Sequence, residues 1–255
     1  MVSNAEDAMP SKDAPRQKNR RVLYIIIGLV VFGFVGREAF FLLSNARTTV
    51  IPEPTTISTG SVHTVALRSD GTVVATGRNN YGQLDVCDWY DIVAVSAGGN
   101  HTVGLRSDGR VVSAGSNYAG QRDLSRWRNI VAVYTSSSST IGLRPDGTVV
   151  VEMLQANFLA VTKSQIIEMY DIVSVSVGAG TFSTVAGIKS DGSVVVAGFL
   201  WYGMREEIYE WRDIVAVSVN INHIVGLRAY GTMVAAGYNL GGLHDVSDWY
   251  GIKLP

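Results

Sequence analysis

One short phrase recurs along most of this chain. "SDGTVVATG" (Ser69 to Gly77) returns as "SDGRVVSAG" (Ser107 to Gly115), "PDGTVVVEM" (Pro145 to Met153), "SDGSVVVAG" (Ser190 to Gly198) and "AYGTMVAAG" (Ala229 to Gly237). Its turn glycines, Gly71, Gly109, Gly147, Gly192 and Gly231, are spaced by 38, 38, 45 and 39 residues. A unit of this size cannot bury its own apolar faces. Copies must stack and bury them jointly, and that narrows the fold more than any other feature of the chain.

Two further phrases accompany each turn. One is "DIVAVSAG" at Asp91, with relatives at Asn129, Asp171 and Asp213; the other is "HTVGLR" at His101, with relatives at His63 and His223. The phrases are short, rich in valine and alternating or fully apolar, which is strand composition without a helical period. Asp-Gly between the second and third phrase predicts a two-residue type I′ hairpin, with positive φ at both central positions. Each unit is therefore expected to be a small antiparallel meander. Units of this length built from strands point to an all-β fold, a β-propeller of about five short blades. A parallel β-helix, which needs shorter coils, ranks behind it. The blades are expected at about 55–88, 89–126, 127–169, 170–210 and 211–248, with a partial copy at 249–255.

These phrases resemble a known family. The histidine-led phrase, "SDG", the segments "GRNNYGQ" (Gly77 to Gln83) and "GSNYAGQ" (Gly115 to Gln121), and the "W-x-D-I" link at Trp89 to Ile92 look like regulator-of-chromosome-condensation (RCC1-type) repeats. The short repeat is similar to bacterial members, including the β-lactamase-inhibitory propeller. The resemblance covers about residues 55–255 and implies a propeller. It also implies, as an alternative function, nucleotide exchange on a small GTPase; an enzyme on a propeller scaffold, with a site the sequence does not reveal, is the other alternative.

The chain departs from the family pattern in two ways. The family usually closes seven blades, and five copies are present here. The third copy replaces the "G-x-N-x-x-G-Q" stretch by "EMLQANFLAVTKSQIIEMY" after Val151, and the fourth carries "GFLWYGM" (Gly198 to Met204) there. The ring thus closes with five blades, stays open, or is completed by another chain, so an oligomer is compatible with it. The terminal "WYGIKLP" (Trp249 to Pro255) is expected to clasp the first blade and protect its edge.

The N-terminal quarter reads differently. Residues 1–21 form a polar tail with basic residues Arg16, Lys18, Arg20 and Arg21. Residues 22–43 are a membrane-anchor candidate, since 22 helical residues reach about 33 Å against a hydrocarbon core of roughly 30 Å. Basic residues ahead of the span place the N-terminus in the cytoplasm and the repeats outside. A cleaved signal peptide, with "SNA" (Ser44 to Ala46) as its processing site, is the rival reading. Residues 44–54 read as a linker stiffened by Pro52 and Pro54.

Several side chains occupy fixed repeat positions. His63, His101 and His223 share one, with Ser139 and Thr184 in the other copies. Serine and threonine replace a hydrogen-bonding residue more readily than a zinc ligand, so these histidines are expected to bond to a neighbouring strand's backbone and not to hold a metal. Trp89, Trp127, Trp211 and Trp249 read as wedges between blades, with Tyr170 as the stand-in in the fourth copy. Arg68, Arg106, Arg144, Lys189 and Arg228 are expected to pair with turn or "D-I" aspartates. His244 reads as a surface loop residue.

A formal net charge of −1 argues against nucleic acid as a partner. Cys87 is the sole cysteine, which excludes an intrachain disulfide. No metal-spaced cluster, phosphate loop or nucleophile motif stands out, so no catalytic residue, metal or cofactor is expected. The main breaks in repeat symmetry are apolar or aromatic. They point to a membrane-anchored, extracytoplasmic scaffold that binds a protein or surface ligand through Phe158, Trp201, Tyr202, Met204, Tyr81 and Tyr118.

Overall fold

A computed structural model of the protein describes residues 52–153, 160–178, 184–198, 200, 204–220, 222–239 and 241–255. The chain divides into two compact units, Met1–Arg47 and Thr48–Pro255. The first unit, with the expected anchor at 22–43, lies outside the described residues. Among the described residues no helix is long and apolar enough to cross a membrane.

Among the described residues the second unit contains five three-stranded antiparallel sheets, as the repeat predicts. Blade 1 contains β1 (Ile57–Thr59), β2 (His63–Leu67) and β3 (Val73–Gly77). Blade 2 contains β4 (Ile92–Ala97), β5 (His101–Arg106) and β6 (Val111–Gly115). Blade 3 contains β7 (Ala132–Thr135), β8 (Ser139–Leu143) and β9 (Val149–Met153). Blade 4 contains β10 (Ile172–Val177), β11 (Val185–Lys189) and β12 (Val194–Ala197), and blade 5 contains β13 (Ile214–Val219), β14 (His223–Arg228) and β15 (Met233–Gly237). The strands pair in chain order, so each blade is a simple meander.

The turn between the second and third strands differs from the expected type I′. Gly71 N–H donates to Arg68 O at 3.0 Å, and Arg68 N–H donates to Thr72 O at 2.8 Å. Three residues thus form the loop, and only Gly71, at φ +81°, is left-handed. This is a type I turn followed by a glycine bulge, which needs one positive φ where type I′ needs two. The preceding aspartate serves another purpose: Asp70 Oδ1 accepts from the amide and the hydroxyl of Thr72.

Positive φ appears instead at the blade links, where Asp91, Asn129, Asp171 and Asp213 lie between 54° and 59°. Asp and Asn tolerate this region better than other side chains. The kink lets the following isoleucine reach back to the previous blade's turn. Ile92 N–H donates to Gly71 O, Ile130 N–H to Gly109 O, Ile172 N–H to Gly147 O and Ile214 N–H to Gly192 O.

The "W-x-D-I" tryptophans are wedges, as expected. Trp89, Trp127 and Trp211 are buried, and each lies on a glycine in the middle strand of its own following blade. A methyl group at Gly104, Gly142 or Gly226 would come within 2.8–2.9 Å of the indole, which explains glycine at that position. The stand-in in the fourth copy is Met169 and not Tyr170. Met169 is buried in the core and its amide donates to Ile166 O, as Trp127 N–H does to Leu124 O. Tyr170 is exposed, one residue on, in register with Tyr90.

Two short helices qualify the all-β expectation. α1 (Ala160–Ile167) and α2 (Met204–Tyr209) lie between the third strand and the buried Met169 or Trp211, where blades 1 and 2 have irregular chain leading to the next tryptophan. Ile166 of α1 and Ile208 of α2 fill the buried place that Val86 and Leu124 hold in blades 1 and 2. Lys163 of α1 pairs with Glu152 at 3.0 Å, and Glu206 and Glu207 occupy the first turn of α2, where the helix dipole favours acid.

The first strands β1, β4, β7, β10 and β13 neighbour one another in succession. Among the described residues no comparable packing joins β13 back to β1. Residues 249–255 form no strand; Ile252 N–H bonds to Gly231 O of blade 5, so the expected clasp on blade 1 is not made.

Candidate interaction surface

Blade-to-blade bonding uses the conserved repeat positions in a directional way. His63 Nε2 lies 2.9 Å from Thr102 Oγ1 of blade 2, and that hydroxyl donates to Gln83 O at 2.7 Å. His101 Nε2 lies 3.1 Å from Thr140 Oγ1 of blade 3, whose hydroxyl donates to Gln121 O. A threonine hydroxyl has one proton and spends it on the carbonyl. The histidine must therefore donate from Nε2, which leaves Nδ1 unprotonated. The expected backbone partner is thus replaced by a side-chain hydroxyl that relays to backbone. Burial, with the nearby His63 and Arg122 charges adding to it, pushes the His101 imidazole down to about 4, and burial lowers His63 as well. Both rings are held neutral. Among the described residues no three His, Cys, Asp or Glu side chains gather as a metal site.

The inner strands add a second row. Ser96 Oγ lies 2.8 Å from Thr135 Oγ1, Ala97 N–H donates to Ser58 Oγ, and Val219 N–H donates to Ser176 Oγ. Around the inner ends a cavity of about 320 Å³ is lined by small polar residues, among them Thr59, Gly60, Ser61, Gly98 and Ser136.

Among the described residues the repeat-position cations make no ion pair within 4 Å, although the charges of Arg68, Arg144 and Lys189 act on Asp70, Asp146 and Asp191 as expected. Arg106 stacks over Tyr90 at 4.2 Å and Lys189 over Tyr170 at 4.0 Å, while Arg228 lies 5.9 Å from the Tyr230 ring. The turn aspartates Asp70, Asp146 and Asp191 accept from Thr72, Thr148 and Ser193 instead.

The outer loops of blades 1 and 2 are braced from within. Asn79 Oδ1 accepts from Leu84 N–H at 2.7 Å, and its amide donates to Asp85 Oδ1. Buried Gln83 accepts from Tyr81 N–H through Oε1. Asn117, Asp123 and Gln121 repeat the arrangement in blade 2. These bonds account for "G-x-N-x-x-G-Q" and hold two aromatic rings outward: Tyr81 is 58% exposed and Tyr118 is 88% exposed. In blade 5, Asn239 Oδ1 accepts from the backbone amide of His244 in the same way, so His244 belongs to a braced loop.

This geometry matches a known repeat. A family profile described as "Regulator of chromosome condensation (RCC1) repeat" fits residues 55–83 and 92–121. Those two segments are RCC1 repeats. Solved structures, among them two of yeast RCC1 or Prp20p, share the fold. The protein superposes on a chain of the crystal structure of Kap60 bound to yeast RCC1 (Prp20) with a TM-score of 0.53 at 16% identity, over 71% of this chain and 55% of that one. For human WBSCR16 the TM-score is 0.56 at 17% identity, over 77% and 64%. For Prp20p from Saccharomyces cerevisiae it is 0.52 at 16% identity, over 75% and 60%. The chain thus spans between 55% and 64% of the length of these three relatives. No curated protein matches the sequence.

The expected contact residues divide into three groups. Tyr81 and Tyr118 stand at the surface of the RCC1 loops. Phe158, Trp201 and Tyr202 lie outside the described residues. Met204 is 3% exposed and packs in the blade 4 core with Ile208 and Trp211, so its side chain is no surface contact. The sequence hid this because Met204 looked like part of a loop, whereas it opens α2 and turns its side chain inward.

Proposed function

We propose that this chain is a non-enzymatic binding scaffold, anchored in a membrane through residues 22–43, with its RCC1-repeat unit on the extracytoplasmic side. It contacts a protein or surface ligand through the outer loops of its blades. The observation that carries this reading is the bracing of Tyr81 and Tyr118. The side chains of Asn79, Asn117, Gln83 and Gln121 hydrogen-bond to the loop and fix its backbone, so the loop carrying the exposed rings loses little conformational freedom on binding. Such rigid aromatics are favoured anchors at protein interfaces. Phe158, Trp201 and Tyr202 follow the third strands of blades 3 and 4 in the sequence, as Tyr81 and Tyr118 do in blades 1 and 2, and extend the aromatic set. Protein binding is also in keeping with the solved RCC1 relatives, one of which was described bound to Kap60 and another with its binding to Gsp1p and histones.

The test has two arms. Protease added to intact cells should digest the repeat unit and spare residues 1–21; digestion only after permeabilisation would refute the topology. Capture of surface proteins by the wild-type chain should be lost in a variant combining Tyr81→Ala, Tyr118→Ala, Trp201→Ala and Tyr202→Ala. Undiminished capture would refute the loop assignment.

A further inference from the structure

The two ends of the blade row carry opposite halves of the bonding pattern that joins blades internally. Within the row, the histidine that starts the second strand donates forward to a threonine one place further on in the next blade. Thr102 and Thr140, which accept, are fully buried. Thr64 holds this accepting position in blade 1 and is exposed. His223 holds the donating position in blade 5 and is half-buried, and among the described residues no hydrogen-bond partner meets its side chain. The inner strands repeat the situation. Ser96 bonds forward to Thr135. Ser218 is in register with Ser96 and is exposed on β13, while Thr59 is in register with Thr135 and is exposed on β1.

The apolar parts agree. Trp249 is 51% exposed, against 4–8% for Trp89, Trp127 and Trp211, and among the described residues no middle strand lies beneath it. Blade 1 offers Ile57 and Val74 as exposed apolar side chains on its strands.

We propose that the exposed flank of blade 5 receives blade 1 of a second copy of this chain, head to tail, with His223 bonding to Thr64 and Ser218 to Thr59 of that copy. The flanks differ from each other and fit each other, so the contact is heterologous and propagates to a ring or a filament unless the geometry closes it. A second copy is favoured over an unrelated occupant because the His223–Thr64 pair has the donor–acceptor order used between blades 1 and 2 and between blades 2 and 3, and the Ser218–Thr59 pair repeats the Ser96–Thr135 contact between blades 2 and 3. One residue opposes a tight fit. Ala66 takes the place of Gly104 and Gly142, and a methyl there would crowd an incoming indole, since such a carbon at Gly104 would sit 2.8 Å from Trp89. The contact is accordingly weaker than an internal blade junction, and Ala66→Gly relieves it.

The experiment uses the full chain with Cys87→Ser, divided into two single-cysteine pools, Thr64→Cys and His223→Cys, and a short thiol crosslinker. Mixing the pools should give the mixed dimer in clear excess over either homodimer. Sedimentation of the unmodified chain should show mass rising with concentration. His223→Ala should weaken that association about tenfold, the loss of one well-formed hydrogen bond, and Ala66→Gly should strengthen it. Both residues lie at the flank, so neither change threatens folding. Mass that stays monomeric at the highest soluble concentration overturns the proposal. So does a Thr64→Cys/His223→Cys double variant that links only within one chain, which would mean that the ring closes on itself.

Discussion

The Nε2–H of His101 donates to Oγ1 of Thr140 on the next blade, 3.1 Å away. This bond ties blade stacking to protonation. The ring is fully buried and its Nδ1 has no hydrogen-bond partner, so a second proton would have to sit unpaired in the interior.

Stability should therefore depend on pH in a defined window. His101 titrates near 4 when folded and near 6.5 when unfolded, so between those values the unfolded chain binds the extra proton. The contribution is complete above about pH 6.5 and is lost as pH falls towards 4, by roughly 3 kcal/mol at the full shift. Urea midpoints at pH 7.5 and pH 4.5 should differ accordingly. His101→Gln, which keeps a donor but cannot titrate, should shrink the difference to the part left by His63, which burial also lowers. Asp70, Asp146 and Asp191 do not confuse the result. Their carboxyls are held below the usual range by hydrogen bonds from Thr72, Thr148 and Ser193, and so they contribute only at still lower pH.

The wedge positions should separate by exposure. Trp127→Ala removes a buried indole and should cost about 3–5 kcal/mol in chemical denaturation. Trp249→Ala should cost less than about 1 kcal/mol, because that ring is half in solvent. Gly142→Ala should cost about 1–3 kcal/mol by crowding Trp127.

The links between blades should be selective for residues that accept positive φ. Asp213 lies at φ 59°. Asp213→Asn should be nearly neutral, whereas Asp213→Val should cost about 1–2 kcal/mol. Thermal unfolding of the two variants side by side measures the difference.

Loop bracing can be read without a ligand. Asn79→Ala removes the acceptor of Leu84 N–H and the donor to Asp85. Amide exchange at Leu84 should accelerate strongly in that variant, with the exchange of β5 unchanged. Tyr81→Ala should alter neither, since that ring is mostly in solvent.

Much of this molecule was legible in its residues, and the misreadings have physical causes. Strands, turns and blade order were visible because valine alternation and glycine spacing report backbone geometry directly. The turn type was misread because Asp-Gly suits two hairpins, and what separates them is whether the aspartate side chain accepts from Thr72 or its backbone turns left-handed. Tyr170 was mistaken for a wedge because aromatic character weighed more than register, while the core accepted a flexible methionine, Met169, one place earlier. The helices of blades 3 and 4 were missed because six to eight residues hold too few turns for a period to show. The threonine partners of His63 and His101 were invisible because the contact spans 39 residues and two blades.

The helices α1 and α2 reveal a division of labour in each repeat. Ile166 with Met169, and Ile208 with Trp211, keep the buried pair three residues apart that Leu124 and Trp127 form in blade 2, although the segment just before each pair has changed from braced loop to helix. The pair is the socket, and what precedes it is interchangeable hardware. New recognition segments can therefore be grafted ahead of that socket in any blade, with no change to the strands that carry it.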